Sequence, residues 1–256
     1  MCFDPTAIPP AIPDGVTSGI SDVESYDLIL GEGDGRFRAF VSRAQSAVET
    51  AVVVLPDVRG LFEYYRQLTV RFASVGHHAV AIDYFGRTAG TGERGEDFDF
   101  MSHIGRTTPE QVQTDVAAAV DHLRSTLGAR RVVTVGFCFG GSQSYLGTAT
   151  PQLAIDGAVA FYGGLDGTRL GVFPSPEDRA ADMSGPILAL FGGADPSITP
   201  EMIDRFDAAL SRHGVDHEFV TYPGTPHSFF DRRHGEFVNE CDDAWRRVLD
   251  FLATAG

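Results

Sequence analysis

Six short, mainly apolar runs recur along this chain, at 51–55, 79–82, 131–135, 157–161, 187–191 and 217–221, and longer stretches with helical spacing separate them. A run that is apolar on both faces needs cover on both faces, and a parallel sheet wrapped by crossover helices provides it. The stretches 63–75, 109–127, 141–148, 200–213 and 236–253 supply those helices. In 109–127, Val112, Val116, Val120 and Leu123 form an apolar stripe at three- and four-residue spacing, and Thr108 followed by Pro109 is a helix start signal. Strand then helix, repeated, predicts an α/β layered domain with right-handed crossovers. Earlier in the chain, 25–30 and 36–42 flank Gly31-Glu32-Gly33-Asp34-Gly35, which reads as an antiparallel hairpin with a Gly-rich turn. The expected fold class is α/β: a mostly parallel central sheet of about eight strands, helices on both faces and an N-terminal antiparallel hairpin. A lead-in, 1–22, precedes a single domain, 23–256, with no visible repeat or linker.

Two stretches fit neither period: 88–107, acidic at Glu93, Glu96, Asp97 and Asp99, and 163–185. Both follow strand C-terminal ends, the edge where open α/β sheets bind ligands, so they are expected as pocket walls or lids.

At 256 residues the chain can bury a core without a metal or disulfide staple. Its 35 acidic residues outnumber 20 basic ones, a net charge of −15, and a surface of that sign does not attract a polyanion. Nucleic acid is therefore not an expected partner. All 20 basic residues are arginine, which excludes a Schiff-base lysine, a lysine general base and a P-loop lysine. The first 22 residues are crowded by Pro5, Pro9, Pro10 and Pro13 and show neither a basic n-region nor a long apolar run. The expectation is a soluble, cytoplasmic protein without a membrane partner, a monomer or weak homo-oligomer. Three cysteines, Cys2, Cys138 and Cys241, are odd in number and widely spread, which fits neither a disulfide framework nor a zinc spacing.

One cysteine has unusual neighbours. Gly136-Phe137-Cys138-Phe139-Gly140-Gly141 follows the run 131–135 directly and precedes a helix. A nucleophile on a tight strand-to-helix turn needs small residues at minus two and plus two, and Gly136 and Gly140 stand there. The positive end of the following helix also favours a thiolate over a thiol. Most cysteines in apolar stretches are inert small hydrophobes, but an inert one would not need glycine on both sides. A dinucleotide cradle needs glycine at the third position of the turn, where Cys138 stands.

A thiol nucleophile needs a base and a group to orient it. In this topology the acid should follow the nucleophile and a histidine should follow the acid, each just after a strand. Asp195 in Gly192-Gly193-Ala194-Asp195-Pro196 and His227 in Pro226-His227-Ser228-Phe229 stand in those places. Alone, an Asp before Pro is commonly a turn residue; the ordered set of three is more specific. His77, His78, His103, His122 and His234 lack a partner signature, and His213 and His217 straddle the helix breaker Gly214, so no metal site is expected.

On these residues the sequence resembles the dienelactone hydrolases, cysteine members of the α/β-hydrolase fold. The resemblance covers roughly 52–252 and rests on Val54-Leu55-Pro56-Asp57-Val58-Arg59-Gly60, Ala81-Ile82-Asp83-Tyr84-Phe85-Gly86-Arg87, the Gly136–Gly141 turn, Phe161-Tyr162-Gly163, the Asp195 loop and the His227 loop. It implies Cys138 as nucleophile, His227 as base and then acid, Asp195 as orienting group, and no cofactor. It implies an oxyanion hole from the backbone N–H groups of Phe139 and Val58, with Arg59, Tyr162 and Phe229 as auxiliary or substrate-binding residues. Where the family carries a Glu beside the thiol this chain has Asp57, one methylene shorter; a loop ion pair with Arg59 is the alternative. Where the family holds a lactone carboxylate with an arginine four residues after the histidine, this chain has Asp231, then Arg232 and Arg233; Arg106 or Arg94 could supply the second cation. The expected function is hydrolysis of a small-molecule lactone or ester through a Cys138 thioester. The alternative is a non-catalytic small-molecule binding or redox- and electrophile-sensing protein that uses the reactive Cys138.

Overall fold

Among the described residues, eight strands form one sheet in the order β1-β2-β4-β3-β5-β6-β7-β8. The structure, a computed structural model, describes residues 7–15, 22–95, 97–167, 173–231 and 233–255. The strands are β1 Val23–Leu30, β2 Phe37–Ala44, β3 Thr50–Leu55, β4 Ala79–Ile82, β5 Arg131–Phe137, β6 Gly157–Phe161, β7 Ile187–Gly192 and β8 His217–Tyr222. From β4 to β8 neighbouring strands run parallel, whereas β2 is antiparallel to both β1 and β4. The helices are α1 Glu63–Ser74, α2 Gly86–Ala89, α3 Phe100–Ile104, α4 Pro109–Asp121, α5 Phe139–Thr148, α6 Pro200–Arg212 and α7 Val238–Thr254. This is the α/β-hydrolase arrangement with its N-terminal hairpin.

Burial explains why the apolar runs became inner strands. Every residue of β3, β4, β6 and β7 is buried, while the edge strands β1 and β8 are half exposed. Alternate residues of one strand serve opposite faces: Val52 and Val54 join one core cluster with Tyr64, Leu68 and Phe72 of α1 and Trp245 of α7. Ala51, Val53 and Leu55 join the other, with Val112, Val116 and Val120 of α4.

Three helices differ from the sequence pattern. Helix α7 starts at Val238 rather than 236, with His234–Glu236 forming a separate 3-10 turn before it. The stretch 109–127 is α4 up to Asp121, and His122–Thr126 then widens into a π-type turn. The widened turn keeps Leu123 in the core, and Gly128, at φ 75°, turns the chain into β5. Helix α5 starts at Phe139, two residues before the expected Gly141, because Cys138 takes the N-cap position. The start signal at Thr108 is a reciprocal cap: Gln111 N–H donates to Thr108 Oγ1 (3.3 Å) and Thr108 N–H to Gln111 Oε1 (3.0 Å).

The expected lead-in lies partly outside the described residues, and so does Cys2. Its described part, 7–15, rests on α7, where Trp245 Nε1–H donates to the Pro10 carbonyl at 3.3 Å. The stretch 88–107 is tied to the end of β4 by Arg94, which donates to Asp83 at 2.7 Å. Leu55 pairs with Gly136, Phe137 with Phe161 and Gly192 with Tyr222. That register brings the loops after β3, β5, β6, β7 and β8 to one edge.

Candidate active site

Cys138 follows β5 at φ 53° and ψ −111°, a conformation that L-residues rarely hold without enforcement. Its N–H donates to the Phe161 carbonyl at 3.0 Å, and its carbonyl accepts from Ser142 N–H at 3.1 Å. Glycines make the tight turn feasible. A Cβ on Gly136 would strike the Gly140 carbonyl, and one on Gly140 would strike the carbonyls of Leu55 and Pro56. On Gly141 it would stand 2.8 Å from Gly163 Cα. The N-terminus of α5 thus touches the backbone of the loop after β3. Phe139 opens the helix, so its N–H has no acceptor within it; Val58 lies on the apposed loop. Cys138 is half-buried.

Asp195 and His227 meet at the same edge. Gly193 N–H donates to Tyr222 O and Ala194 N–H to Thr225 O, both at 2.8 Å, so the loops after β7 and β8 are laced together. His227 Nδ1–H donates to Asp195 Oδ2 at 2.5 Å. Asp195 Oδ1 accepts from Ser197 N–H at 2.8 Å and Ser197 Oγ–H at 2.6 Å. Burial alone would raise the Asp195 carboxyl, but bonds from His227 and Ser197 outweigh it and hold it below its ordinary value. Burial likewise opposes charging His227. Its bonds to Asp195 and to the Cys138 side chain prevail and push the imidazole up to about 10. With Nδ1 occupied by Asp195, Nε2 is the nitrogen left for the sulfur.

Three of the four non-glycine residues with positive φ among those described sit here: Cys138, Tyr162 (41°) and Ser228 (60°). Tyr162 lies with its ring centroid 4.9 Å from that of His227. Phe229 is fully buried behind it, 5.8 Å from the Tyr162 ring.

Asp57 and Arg59 do pair, in a larger and buried assembly. Arg59 Nε donates to both Asp57 oxygens (2.9 and 3.0 Å), its Nη2 bonds Asp57 and also donates to Asp231 at 3.0 Å, and Tyr65 Oη–H donates to Asp57 at 3.0 Å. The Arg59 guanidinium also covers the Phe62 ring at 4.1 Å. Arg106 is exposed on the turn between α3 and α4, bonded to the Ser102 carbonyl and His103. Arg232 lies outside the described residues. Cys241 is buried in α7, its thiol pushed up to about 12 by burial. No group of three or more His, Cys, Asp or Glu suited to a metal occurs among the described residues.

Sequence reasoning missed Ser197 and Tyr65. An Asx turn in Asp195-Pro196-Ser197 could have signalled the first; nothing local marks the second.

The sequence profile of the dienelactone hydrolase family matches residues 37–256. A Salmonella typhimurium protein named "Putative carboxymethylenebutenolidase" is 32% identical over 99% of this chain and 96% of its own. A Methylorubrum extorquens protein of the same name is 31% identical over 91% of this chain and 84% of its own. The Klebsiella pneumoniae crystal structure named "Putative Dienelactone Hydrolase" superposes with a TM-score of 0.78 at 26% identity, covering 91% of this chain and 99% of that one.

Proposed function

The chain belongs to the dienelactone hydrolase family, and from that premise we propose that it opens a small lactone or cleaves a small ester through a thioester on Cys138. The general activity is hydrolysis of carboxylic ester or lactone bonds. What carries the finer reading is the run of contacts from the Cys138 side chain through His227 to Asp195.

The bonds to Asp195 and the Cys138 side chain raise the His227 imidazole, which suits it to hold the proton that the leaving oxygen needs. The sulfur attacks the substrate carbonyl carbon, and the carbonyl oxygen takes the negative charge. The N–H groups of Phe139 and Val58 are the donors available to that oxyanion. As the tetrahedral species collapses, the C–O bond breaks and His227 gives its proton to the leaving oxygen. In a lactone that oxygen stays tethered to the acyl chain. Neutral His227 then takes a proton from water, hydroxide adds to the thioester, and collapse returns the thiolate and the product acid. Asp195, fixed by Ser197, holds the imidazole in the tautomer that presents Nε2 to these transfers.

Cys138→Ala tests the assignment. Turnover of p-nitrophenyl acetate should fall by about 10⁴-fold while the far-UV spectrum is retained; substantial residual turnover would sink the thioester route.

A further inference from the structure

Arg59 is the one arginine that the described loops bring between the Val58 loop and the His227 loop, and carboxylates hold it on both sides. Its Nε donates to Asp57 at 2.9 and 3.0 Å and its Nη2 to Asp231 at 3.0 Å. Asp57 and Arg59 are each 8% exposed and Asp231 is 4% exposed. These groups border the reaction centre. Tyr162, whose ring neighbours His227, has its phenol raised well above the ordinary value by burial first, and then by Tyr64, Asp231, Asp57 and Cys138. A substrate carboxylate that came to the Arg59 guanidinium would compete with Asp57 and Asp231, which already share it, and taking their place would cost a buried acid its Arg59 bond. That exchange is strongly unfavourable. Three other described arginines also pair with acids, Arg94 with Asp83 at 2.7 Å, Arg87 with Asp115 at 2.7 Å and Arg233 with Glu236 at 2.6 Å, and Arg106 is bonded to the Ser102 carbonyl and His103 on its exposed turn.

We propose that this site accepts an uncharged acyl group, a lactone or ester without a carboxylate on its acyl part, and discriminates against anionic substrates. Asp231 is the residue that sets the preference, by spending on itself the cation that a carboxylate would need. The inference rests on the reading of Cys138 as the reacting atom, and its test is chosen to be independent of turnover. Iodoacetamide and iodoacetate transfer the same carbon to sulfur with loss of iodide and differ in charge.

Their second-order rates at Cys138, followed by peptide mass spectrometry and normalised to the rates on free N-acetylcysteine, report the charge preference directly. A normalised preference of about tenfold or more for iodoacetamide is expected, shrinking as added salt screens the carboxylates. Asp231→Asn should cut the preference at least about threefold. A normalised ratio of one, or one that favours iodoacetate, overturns the inference even if Asp231→Asn fails to fold. The hydrolase reading fails separately: Cys138→Ala that still turns over esters ends the thioester route, whatever the alkylation ratio.

Discussion

The two ends of the sheet treat histidines in opposite ways. At the C-terminal edge His227 lies between Asp195 and Cys138, and these bonds overcome burial and push the imidazole up to about 10. At the N-terminal edge His77 donates from Nδ1 to the Thr50 carbonyl (2.7 Å), and His78 Nδ1 accepts from Ala44 N–H (3.1 Å). With mainly backbone partners, burial prevails there and both imidazoles are lowered. The difference teaches that an ionisable partner, rather than burial, distinguishes chemistry from architecture. The cysteines repeat the lesson: Cys138 has an imidazole and a strained turn, whereas Cys241 has helix neighbours and a carbonyl 3.7 Å away.

Exchanging the same residue at both ends breaks or sharpens this contrast. His227→Gln should lower kcat by about 10³-fold or more, while His77→Gln should leave kcat within about twofold and lower thermal stability by about 1 kcal/mol. Steady-state kinetics with thermal melts separates the two. Equal kinetic losses would erase the distinction. Glycines give the next contrast. Gly140→Ala drives a Cβ into the Leu55 and Pro56 carbonyls and should cost several kcal/mol or abolish soluble expression. Gly128→Ala meets nothing within 4 Å and should cost only about 1 kcal/mol, for its φ of 75°. Urea melts read both.

Smaller effects come from the outer partners. Ser197→Ala removes the 2.6 Å hydroxyl donor to Asp195 and should reduce kcat/KM about tenfold. It should also move the acid limb of the pH profile upward, because Asp195 loses part of what keeps it ionised. Substituting a residue that merely packs would leave that limb in place.

Stability against pH gives the subtlest contrast, and its sign differs between the ends. A folded-state value of about 10 for His227 exceeds its ordinary 6.5, so its contribution is complete below pH 6.5 and fades as pH rises toward 10. His77 and His78 are lowered in the fold, so their contribution is present above pH 6.5 and is lost as pH falls through that range to their lowered values. The stability gap between wild type and His227→Gln should therefore narrow from pH 6 to pH 10, and that for His77→Gln should narrow below pH 6.

Much of this was legible because it is written in short-range pattern. Runs apolar on both faces announced β3 to β7, and glycines two residues either side of Cys138 announced a turn that their absent side chains explain. Asp195 and His227 could be placed because each follows a strand in the expected order, and the fold brings them to 2.5 Å. Pairings without local pattern were opaque. Arg59 and Asp231 are 172 residues apart, and nothing near either one encodes the other. Nor does sequence alone tell that α4 widens at His122–Thr126, since its apolar stripe runs on through Leu123.

The central claim, that Cys138 carries the acyl group, has a direct measurement. Wild type mixed with p-nitrophenyl acetate, quenched in acid during the first turnover and digested, should yield the Cys138 peptide carrying one acetyl group, with no adduct on Cys241 and none in Cys138→Ala. Full-rate product formation with no acyl adduct on that peptide, or with the adduct on another residue, would contradict the account.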